Sequence, residues 1–194
     1  MSVVSKYNRI AAFYDFLEGP MERFFYGRWR KAALSGLKGL VLEVGVGTGK
    51  NLEYYPSGCA LIGIDVSDGM LEKAREKAVG MKNVTLLLMD AEHLDFPANS
   101  FDHVVTTFVL CSIPDPVGAL REMHRVLKPG GEMINLEHMR SGNPLVAAYE
   151  DLINPISAGL FGINVNRKTV ENVNYPTLKQ WGLYKPWLTS LSLN

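Results

Sequence analysis

The residues most able to do chemistry form a glycine-rich stretch that begins with a carboxylate. Glu43 lies near the end of an apolar run, Gly39–Val44, and glycines follow at positions 45, 47 and 49. Because glycine has no Cβ, such a loop can turn sharply and let a ligand approach the backbone. The N–H groups of a short helix at residues 50–54 would favour an anionic ligand group. A dinucleotide-binding loop reads G-x-G-x-x-G, but Lys50 stands where its third glycine would be. The stretch therefore predicts a ligand-binding turn of another kind.

Two more carboxylates end the next two apolar runs. Asp65 follows Glu43 by 22 residues, and Asp90 is followed by Ala91 and Glu92. Asp65 can accept hydrogen bonds from both ribose hydroxyls, and Asp90 with the N–H of Ala91 can bind an adenine edge. Each feature alone is equally explained by a tight turn or a solvated strand end. Their common order, with no Lys or Arg at these strand ends, favours a nucleoside with a positive centre over a phosphate-rich ligand.

The segments that must position these residues alternate between short apolar runs and stretches with helical periodicity. Apolar runs predict strands at residues 39–44, 60–65, 84–90, 101–110 and 131–138. Between them, helices are predicted at residues 68–79, capped by Ser67, and at 115–127, which Lys128-Pro-Gly-Gly131 ends. This alternation predicts an α/β fold with a doubly wound, mostly parallel sheet. After residue 140 the pattern is less regular, with prolines that interrupt an apolar stretch.

The composition restricts the class of protein. The 194 residues suit a single domain. Twenty Lys and Arg balance twenty Asp and Glu, which argues against a nucleic-acid binder. No apolar run approaches the roughly 18 residues of a membrane-spanning helix, and two cysteines are too few for a disulfide scaffold. We therefore expect a soluble, cytoplasmic protein.

The first 38 residues differ from the rest of the chain. They hold seven basic groups against three acidic ones and are rich in aromatic residues. We expect a helical lid segment at 1–38 and a main domain at 39–194. The net charge of +4 suits peripheral contact with an anionic membrane surface; simple packing on the sheet with solvated charges explains it as well.

Residues 41–138 resemble the class I S-adenosylmethionine-dependent methyltransferases. LEVGVGTG at 42–49 is similar to the cofactor loop of that family, IDVSDGML at 64–71 to its ribose-binding strand end, and MDAEHLDFPANSFDHVV at 89–105 to its adenine-binding stretch. REMHRVLKPGG at 121–131 matches the helix and turn before its fifth strand. The resemblance implies a Rossmann-like methyltransferase fold with S-adenosyl-L-methionine as cofactor.

The resemblance also assigns residues to the parts of the cofactor. Four line the methionine end, two lie beneath the sulfonium, one binds the ribose and three face the adenine. The methionine end is assigned to Glu43, Gly45, Gly47 and Gly49, and the space beneath the sulfonium to Thr107 and Phe108. The ribose is assigned to Asp65, and the adenine to Met70, Asp90 and Ala91.

Within the class, the chain looks most like the small-molecule branch that includes quinone-biosynthesis, phospholipid and methyltransferase-like thiol methyltransferases. FVLCSI at 108–113, NLEHMR at 135–140 and INVNRKTVEN at 163–172 resemble that branch. The implied reaction is in-line methyl transfer to a small hydrophobic or amphiphilic acceptor, such as a lipid amine, a quinol precursor or a thiol. A cofactor-binding subunit without its own catalysis is the alternative. A nicotinamide oxidoreductase is disfavoured by Lys50 and the acidic rim.

Direct displacement needs alignment of donor and acceptor, and a base only where the acceptor is protonated. His138 is the best candidate base, although a structural histidine explains it equally well. Tyr14 is the second catalytic candidate, because it resembles the branch's N-terminal tyrosine that covers the cofactor; packing in a core or lid without chemistry explains it equally well. With other apolar residues of the N-terminus and the stretch 152–163, it is expected to form a lid. Cys111 is expected to be a small buried group, and the spacing of the other histidines predicts no metal site. After Asn172 the family's two antiparallel edge strands are not readable.

Overall fold

A parallel sheet forms the centre of the molecule. The computed structural model describes residues 26–137, 144–161, 166 and 184–185. The strands are β1 Gly39–Val44, β2 Cys59–Asp65, β3 Val84–Leu88, β4 Phe101–Thr107, β5 Leu127–Leu136 and β6 Tyr184–Lys185. Their order is β3-β2-β1-β4-β5-β6, and all described pairs are parallel. The predicted doubly wound α/β fold is confirmed. The winding direction changes between β1 and β4, and in such sheets ligands bind at the carboxyl ends of the strands at this switch point.

Helices connect and flank the strands. They are α1 Gly27–Leu34, α2 Asp68–Lys77, α3 Pro116–Val126 and α4 Pro144–Phe161, with a 3-10 turn at Leu52–Tyr54. The predicted cap of α2 is confirmed, because the Ser67 side chain accepts a hydrogen bond from the backbone N–H of Met70. Asp115 caps α3 in the same way through the N–H of Gly118. Both caps supply acceptors for N–H groups that have no partner within the helix.

Apolar side chains are buried on both faces of the sheet. Leu42 and Val104 belong to one core cluster, and their neighbours Val41 and Val105 belong to the other. Successive residues of a strand point to opposite faces, which is why the predicted strands read as continuous apolar runs. This two-sided core holds the carboxyl ends of the strands in fixed positions.

Two features differ from the sequence-based expectations. β5 begins at Leu127, before the predicted turn: Leu127 pairs with Phe101 and Glu132 with His103, so residues 128–131 form an irregular bulge in the strand. An ion pair of 2.7 Å between Lys128 and Asp102 joins this bulge to β4.

The second difference is α4, which continues through Pro155 although prolines were expected to interrupt this stretch. Pro144 stands at its first residue, where a proline is tolerated because that N–H has no helical partner. In the described part of the chain, no helix is long and apolar enough to cross a membrane.

Candidate functional site

The glycine loop connects the ends of β1, β2 and β4. Gly45 has a φ of +72°, donates to the carbonyl oxygen of Ile64 at 2.9 Å, and leaves no room for a Cβ against the side chain of Val109. Gly47 has a φ of +55°, and no atom of the described structure lies within 4 Å of where its Cβ would be. Gly45 is therefore required by packing, whereas Gly47 faces open space that a ligand can enter.

Asp65 fixes the loop to the end of β2. Its two carboxylate oxygens accept hydrogen bonds from the backbone N–H groups of Gly47 and Ser67, each at 2.9 Å. Burial raises the pKa of Asp65, and these hydrogen bonds oppose the shift. A carboxylate has about four lone-pair sites, so Asp65 retains acceptor capacity for ligand hydroxyls.

A buried polar cluster lies where β1 and β4 end. We call it the switch-point cluster; its members are Arg30, Glu43, Asn51 and Thr107. Asn51 Nδ2 donates to Glu43 Oε1 at 2.7 Å and to Thr107 Oγ1 at 3.0 Å. Arg30 Nη1 donates to Asn51 Oδ1 and to Thr107 Oγ1, both at 2.8 Å. The cluster joins α1, the chain after the glycine loop and the end of β4 through side chains alone.

Glu43 is the one acid of this cluster, and its pKa is shifted. It is 1% exposed, and burial raises its pKa to about 7, although the hydrogen bond from Asn51 and the charge of Arg30 lower it. Among the described residues, neither Glu43 Oε2 nor the Tyr55 hydroxyl makes a hydrogen bond of good geometry, but the two groups lie close enough for a hydrogen-bond interaction that lowers the pKa of Glu43 and raises that of Tyr55. Burial and the charge of Glu43 raise the pKa of Tyr55. Since a carboxylate has about four lone-pair sites, Glu43 can still accept a hydrogen bond from a ligand N–H.

The loop after β4 is held by a second buried carboxylate. Glu137 accepts hydrogen bonds from the backbone N–H groups of Val109 and Leu110, at 3.2 and 3.1 Å. Burial raises its pKa to about 7, against the hydrogen bonds it accepts. Phe108 begins this loop with a φ of +56°, and its ring centroid lies 5.1 Å from the guanidinium carbon of Arg30.

Aromatic rings line the edge of the site next to Arg30. The ring of Tyr26 lies 4.8 Å from that of Phe108 and 5.8 Å from that of Trp29, between centroids. All three rings are partly exposed. They form an apolar wall beside a charged site.

The remaining predicted cofactor residues follow β2 and β3. Asp90 is exposed and its Oδ1 accepts the N–H of Glu92, and Ala91 packs against the core. Met70 is almost completely buried in the first turn of α2. The structure therefore places all ten predicted cofactor residues after, or at the ends of, the first four strands.

Both predicted catalytic residues, His138 and Tyr14, lie outside the described residues, as do the other residues of the predicted lid before position 26. Cys111 is buried, with its sulfur 3.7 Å from the carbonyl oxygen of Phe108. Within the described ranges, no group of three potential metal ligands is found.

Sequence reasoning missed Arg30, Asn51 and Glu137. The strand ends themselves carry no basic residue, but α1 brings the buried guanidinium of Arg30 to them. No spacing distinguishes Arg30 from the other basic residues of its segment. Asn51 was recognisable as a polar residue two positions after the last glycine of the loop, and Glu137 as the residue directly before His138.

Comparisons with known proteins identify the family of this chain. The sequence model of the family described as a methyltransferase domain matches residues 42–135. Phosphatidylethanolamine N-methyltransferase of Cereibacter sphaeroides is 41% identical over 157 residues, which are 78% of this chain and 76% of that protein. Demethylmenaquinone methyltransferase of Staphylococcus aureus is 37% identical over 168 residues, 80% of this chain and 69% of that protein.

Solved structures show the same fold. An S-adenosylmethionine-dependent methyltransferase of Thermotoga maritima has a TM-score of 0.71 and 25% identity, over 93% of this chain and 81% of that one. A phosphoethanolamine N-methyltransferase of Haemonchus contortus, in complex with S-adenosylhomocysteine, also has a TM-score of 0.71, over 94% of this chain and 45% of that one; at 21% identity it supports the fold alone. The chain belongs to the class I S-adenosylmethionine-dependent methyltransferases of the small-molecule type.

Proposed function

We propose that this methyltransferase acts on a small hydrophobic or amphiphilic acceptor: a lipid amine, a quinol precursor or a thiol. The observation that carries the proposal is the apolar wall of Tyr26, Trp29 and Phe108 beside the switch-point cluster. Aromatic rings bind apolar groups and, through their faces, cations such as an ammonium. The relatives named for phosphatidylethanolamine and demethylmenaquinone are consistent with an acceptor that is amphiphilic or apolar.

The described residues fit the cofactor. Glu43 offers a buried carboxylate to the methionyl ammonium, the open side of Gly47 admits the ligand, and Asp65 can accept from the ribose hydroxyls. Met70, Asp90 and Ala91 are assigned to the adenine. Gly45 and Gly49 shape the loop, and Thr107 and Phe108 are assigned to the space beneath the sulfonium. When bound, S-adenosylmethionine supplies an electrophilic methyl group and a neutral leaving group.

The chain's own contribution is then mainly alignment. Both oxygens of Glu137 accept hydrogen bonds from backbone N–H groups of the loop after β4, so we assign its carboxylate to positioning this loop. We assign proton removal from a protonated acceptor to His138, the next residue, because imidazole titrates near neutral pH. Tyr14 is assigned to cover the reacting groups.

Residues 1–38 are proposed to form a lid over the domain at 39–194 and to contact an anionic membrane surface, where a lipid acceptor would be found. On α4, the apolar residues Leu145, Tyr149, Leu152 and Ile156 recur every three or four positions and are 61–82% exposed. That spacing places them on one face of the helix, where they can add apolar contact to the charge attraction.

Vesicle flotation tests the membrane contact. The Lys6→Glu/Arg9→Glu variant should lose about 2 kcal/mol from the removed positive charges alone, or roughly 30-fold in partition onto anionic vesicles. Neutral phosphatidylcholine vesicles are the matched control, since the charge term is absent there. Equal flotation of the two proteins with anionic vesicles would contradict the contact.

Transfer of a labelled methyl group tests the acceptor class. The protein is incubated with methyl-labelled S-adenosylmethionine and separate panels of amphiphilic amines, quinols and alkyl thiols, with hydrophilic analogues as matched controls. We expect transfer to one apolar panel and at least tenfold less to its hydrophilic analogue. Preference for the hydrophilic analogues would refute the role of the aromatic wall, and binding of S-adenosylhomocysteine without transfer to any panel would refute the proposed acceptors.

A further inference from the structure

A second set of polar side chains lies where β4 and β5 end, and none of its members is assigned to the cofactor. We call it the β4–β5 chain; its members are Thr106, Asn135 and Glu137. Thr106 is 0% exposed and Asn135 is 7% exposed. These two residues are paired in the register of the sheet, so the two strands hold their side chains beside each other. Glu137 directly follows β5.

One hydroxyl proton has two acceptors in this chain. The Thr106 hydroxyl donates to Asn135 Oδ1 at 2.9 Å. It also lies close enough to the Glu137 carboxylate for a hydrogen bond that lowers the pKa of that acid. A threonine hydroxyl has a single proton to donate. Asn135 and an ionised Glu137 therefore compete for it.

The orientation of the Asn135 amide decides which acceptor it favours. Its oxygen is turned toward Thr106, whereas its nitrogen, Nδ2, makes no hydrogen bond of good geometry within the described residues. With the oxygen inward, the chain is complete when Glu137 carries a proton and donates to Thr106, which in turn donates to Asn135. With the nitrogen inward, Nδ2 would donate to the hydroxyl and leave the Thr106 proton for Glu137.

The charge of Glu137 matters because this residue anchors the loop after β4. Its oxygens accept the N–H groups of Val109 and Leu110 at 3.2 and 3.1 Å, in the loop that begins with Phe108. Hydrogen bonds to an ionised acceptor are about twice as strong as those to a neutral one, so the carboxylate holds this loop more firmly than the neutral acid does. Arg30 on α1 is the charged side chain that acts on Glu137, and it lowers the pKa of the acid; the other two members of the chain are neutral.

We propose that Thr106 and Asn135 are positioning residues for methyl transfer, because together they set the charge with which Glu137 holds the loop of Phe108. The Thr106 hydroxyl favours the carboxylate, and the Asn135 oxygen favours the neutral acid by drawing the same proton away. Their effect on transfer rests on the proposed function, which places Phe108 beneath the sulfonium. Their effect on Glu137 does not depend on it.

Nuclear magnetic resonance of the isotopically labelled protein tests this by following the carboxyl carbon of Glu137 over a pH series. Glu137→Gln identifies the signal by its loss. In the wild-type protein the pKa of Glu137 should be about 7, and the amide signals of Val109 and Leu110 should change with the same midpoint. Rates of labelled methyl transfer, measured over the same series, should rise as the carboxylate forms.

Two variants should shift the midpoint in opposite directions. Thr106→Val removes the donor and should raise the pKa of Glu137 by about 1, because a hydrogen bond to a charged group is stronger than one to a neutral group. Asn135→Leu removes the competing acceptor and should lower that pKa. Thr106→Ser keeps the hydroxyl and should keep the wild-type value. Thr85→Val, at an exposed threonine of β3, is the matched control and should change nothing.

Shifts of opposite sign distinguish this arrangement from damage to a buried site, which would move both variants the same way. An upward shift in Asn135→Leu overturns the proposal, because the amide would then support the carboxylate, and so does an unchanged pKa in Thr106→Val. A wild-type Glu137 that titrates at the ordinary value of 4.5 overturns it even if neither variant folds.

The transfer rates separate this proposal from the proposed function. Rates that do not move with the titration of Glu137 in the wild-type protein and the variants overturn the positioning role. Absence of transfer by the wild-type protein to every acceptor panel contradicts the proposed function instead, and the shifts of the Glu137 signal still decide whether Thr106 and Asn135 set its charge.

Discussion

Gly45 and Gly47 should respond differently to the same substitution, although both lie in one loop with a positive φ. Left-handed backbone costs alanine about 1–2 kcal/mol at either position. At Gly45 the new methyl also overlaps the side chain of Val109, and overpacking of this kind adds about 1–3 kcal/mol. Gly45→Ala should therefore lower the free energy of unfolding by about 2–5 kcal/mol, and Gly47→Ala by about 1–2 kcal/mol.

Urea unfolding followed by circular dichroism measures these losses, and titration with S-adenosylhomocysteine measures binding. Gly47→Ala places its methyl in the open space where the ligand is proposed to enter, so its main effect should be on affinity. In a Val109→Ala background part of the overlap is removed, and the cost of Gly45→Ala should fall by about 1 kcal/mol.

Three results would refute this reasoning. Equal destabilisation by the two alanines would show that Val109 does not limit the space at Gly45. An unchanged cost of Gly45→Ala in the Val109→Ala background would show the same by an independent route. An unchanged affinity of Gly47→Ala would contradict the proposed approach of the ligand along that side of the loop.

Three further predictions concern single side chains. Burial raises the pKa of Glu43 from 4.5 to about 7 in the folded protein, so its favourable contribution to the free energy of unfolding is present below pH 4.5 and is lost as pH rises through 7. Glu43→Gln should therefore flatten the fall of melting temperature between pH 5 and 8. An unchanged slope would contradict the shift. Glu137→Gln replaces one of two acceptor oxygens by a donor, and should cost about 1–3 kcal/mol in urea unfolding; no loss would show that the loop after β4 is held by other contacts. Arg125 donates to the carbonyl oxygens of Leu94 and Phe96 at 2.8 Å; Arg125→Ala should cost about 1–2 kcal/mol, Arg125→Lys somewhat less, and equal stability of Arg125→Ala and the wild-type protein would refute a role for these bonds.

The sheet was predictable because its strands are covered on both faces. β1 was predicted with the bounds it has, since each of its inner residues is apolar or belongs to the site. The cap of α2 was equally clear, because Ser67 stands directly before the first helical residue. The glycine loop and Asp65 could be placed beside each other because parallel strands end at one edge.

The parts that were not predictable depend on contacts between distant positions. The start of β5 was misplaced because Pro129 and two glycines read as a turn, whereas the ion pair between Lys128 and Asp102 holds this stretch against β4. The hydrogen bond from Arg30 to Thr107 spans 77 positions, and no local pattern encodes it. Functional residues at strand ends could therefore be predicted from the sequence, whereas Arg30, which α1 brings to the site, could not.

The positions of the buried charges bear on how a site can bind a sulfonium without slowing methyl transfer. The positive charge of a sulfonium is lost as the methyl group leaves, so a carboxylate beside the sulfur would stabilise the ground state more than the transition state. Both buried carboxylates of the site have other contacts: Glu43 with Asn51 at the end of β1, and Glu137 with two backbone N–H groups. Binding energy from charge would then act on the amino acid group, which does not react. The reacting carbon would then be positioned by the ring of Phe108 and by alignment of the acceptor, and alignment would make the main contribution to the rate.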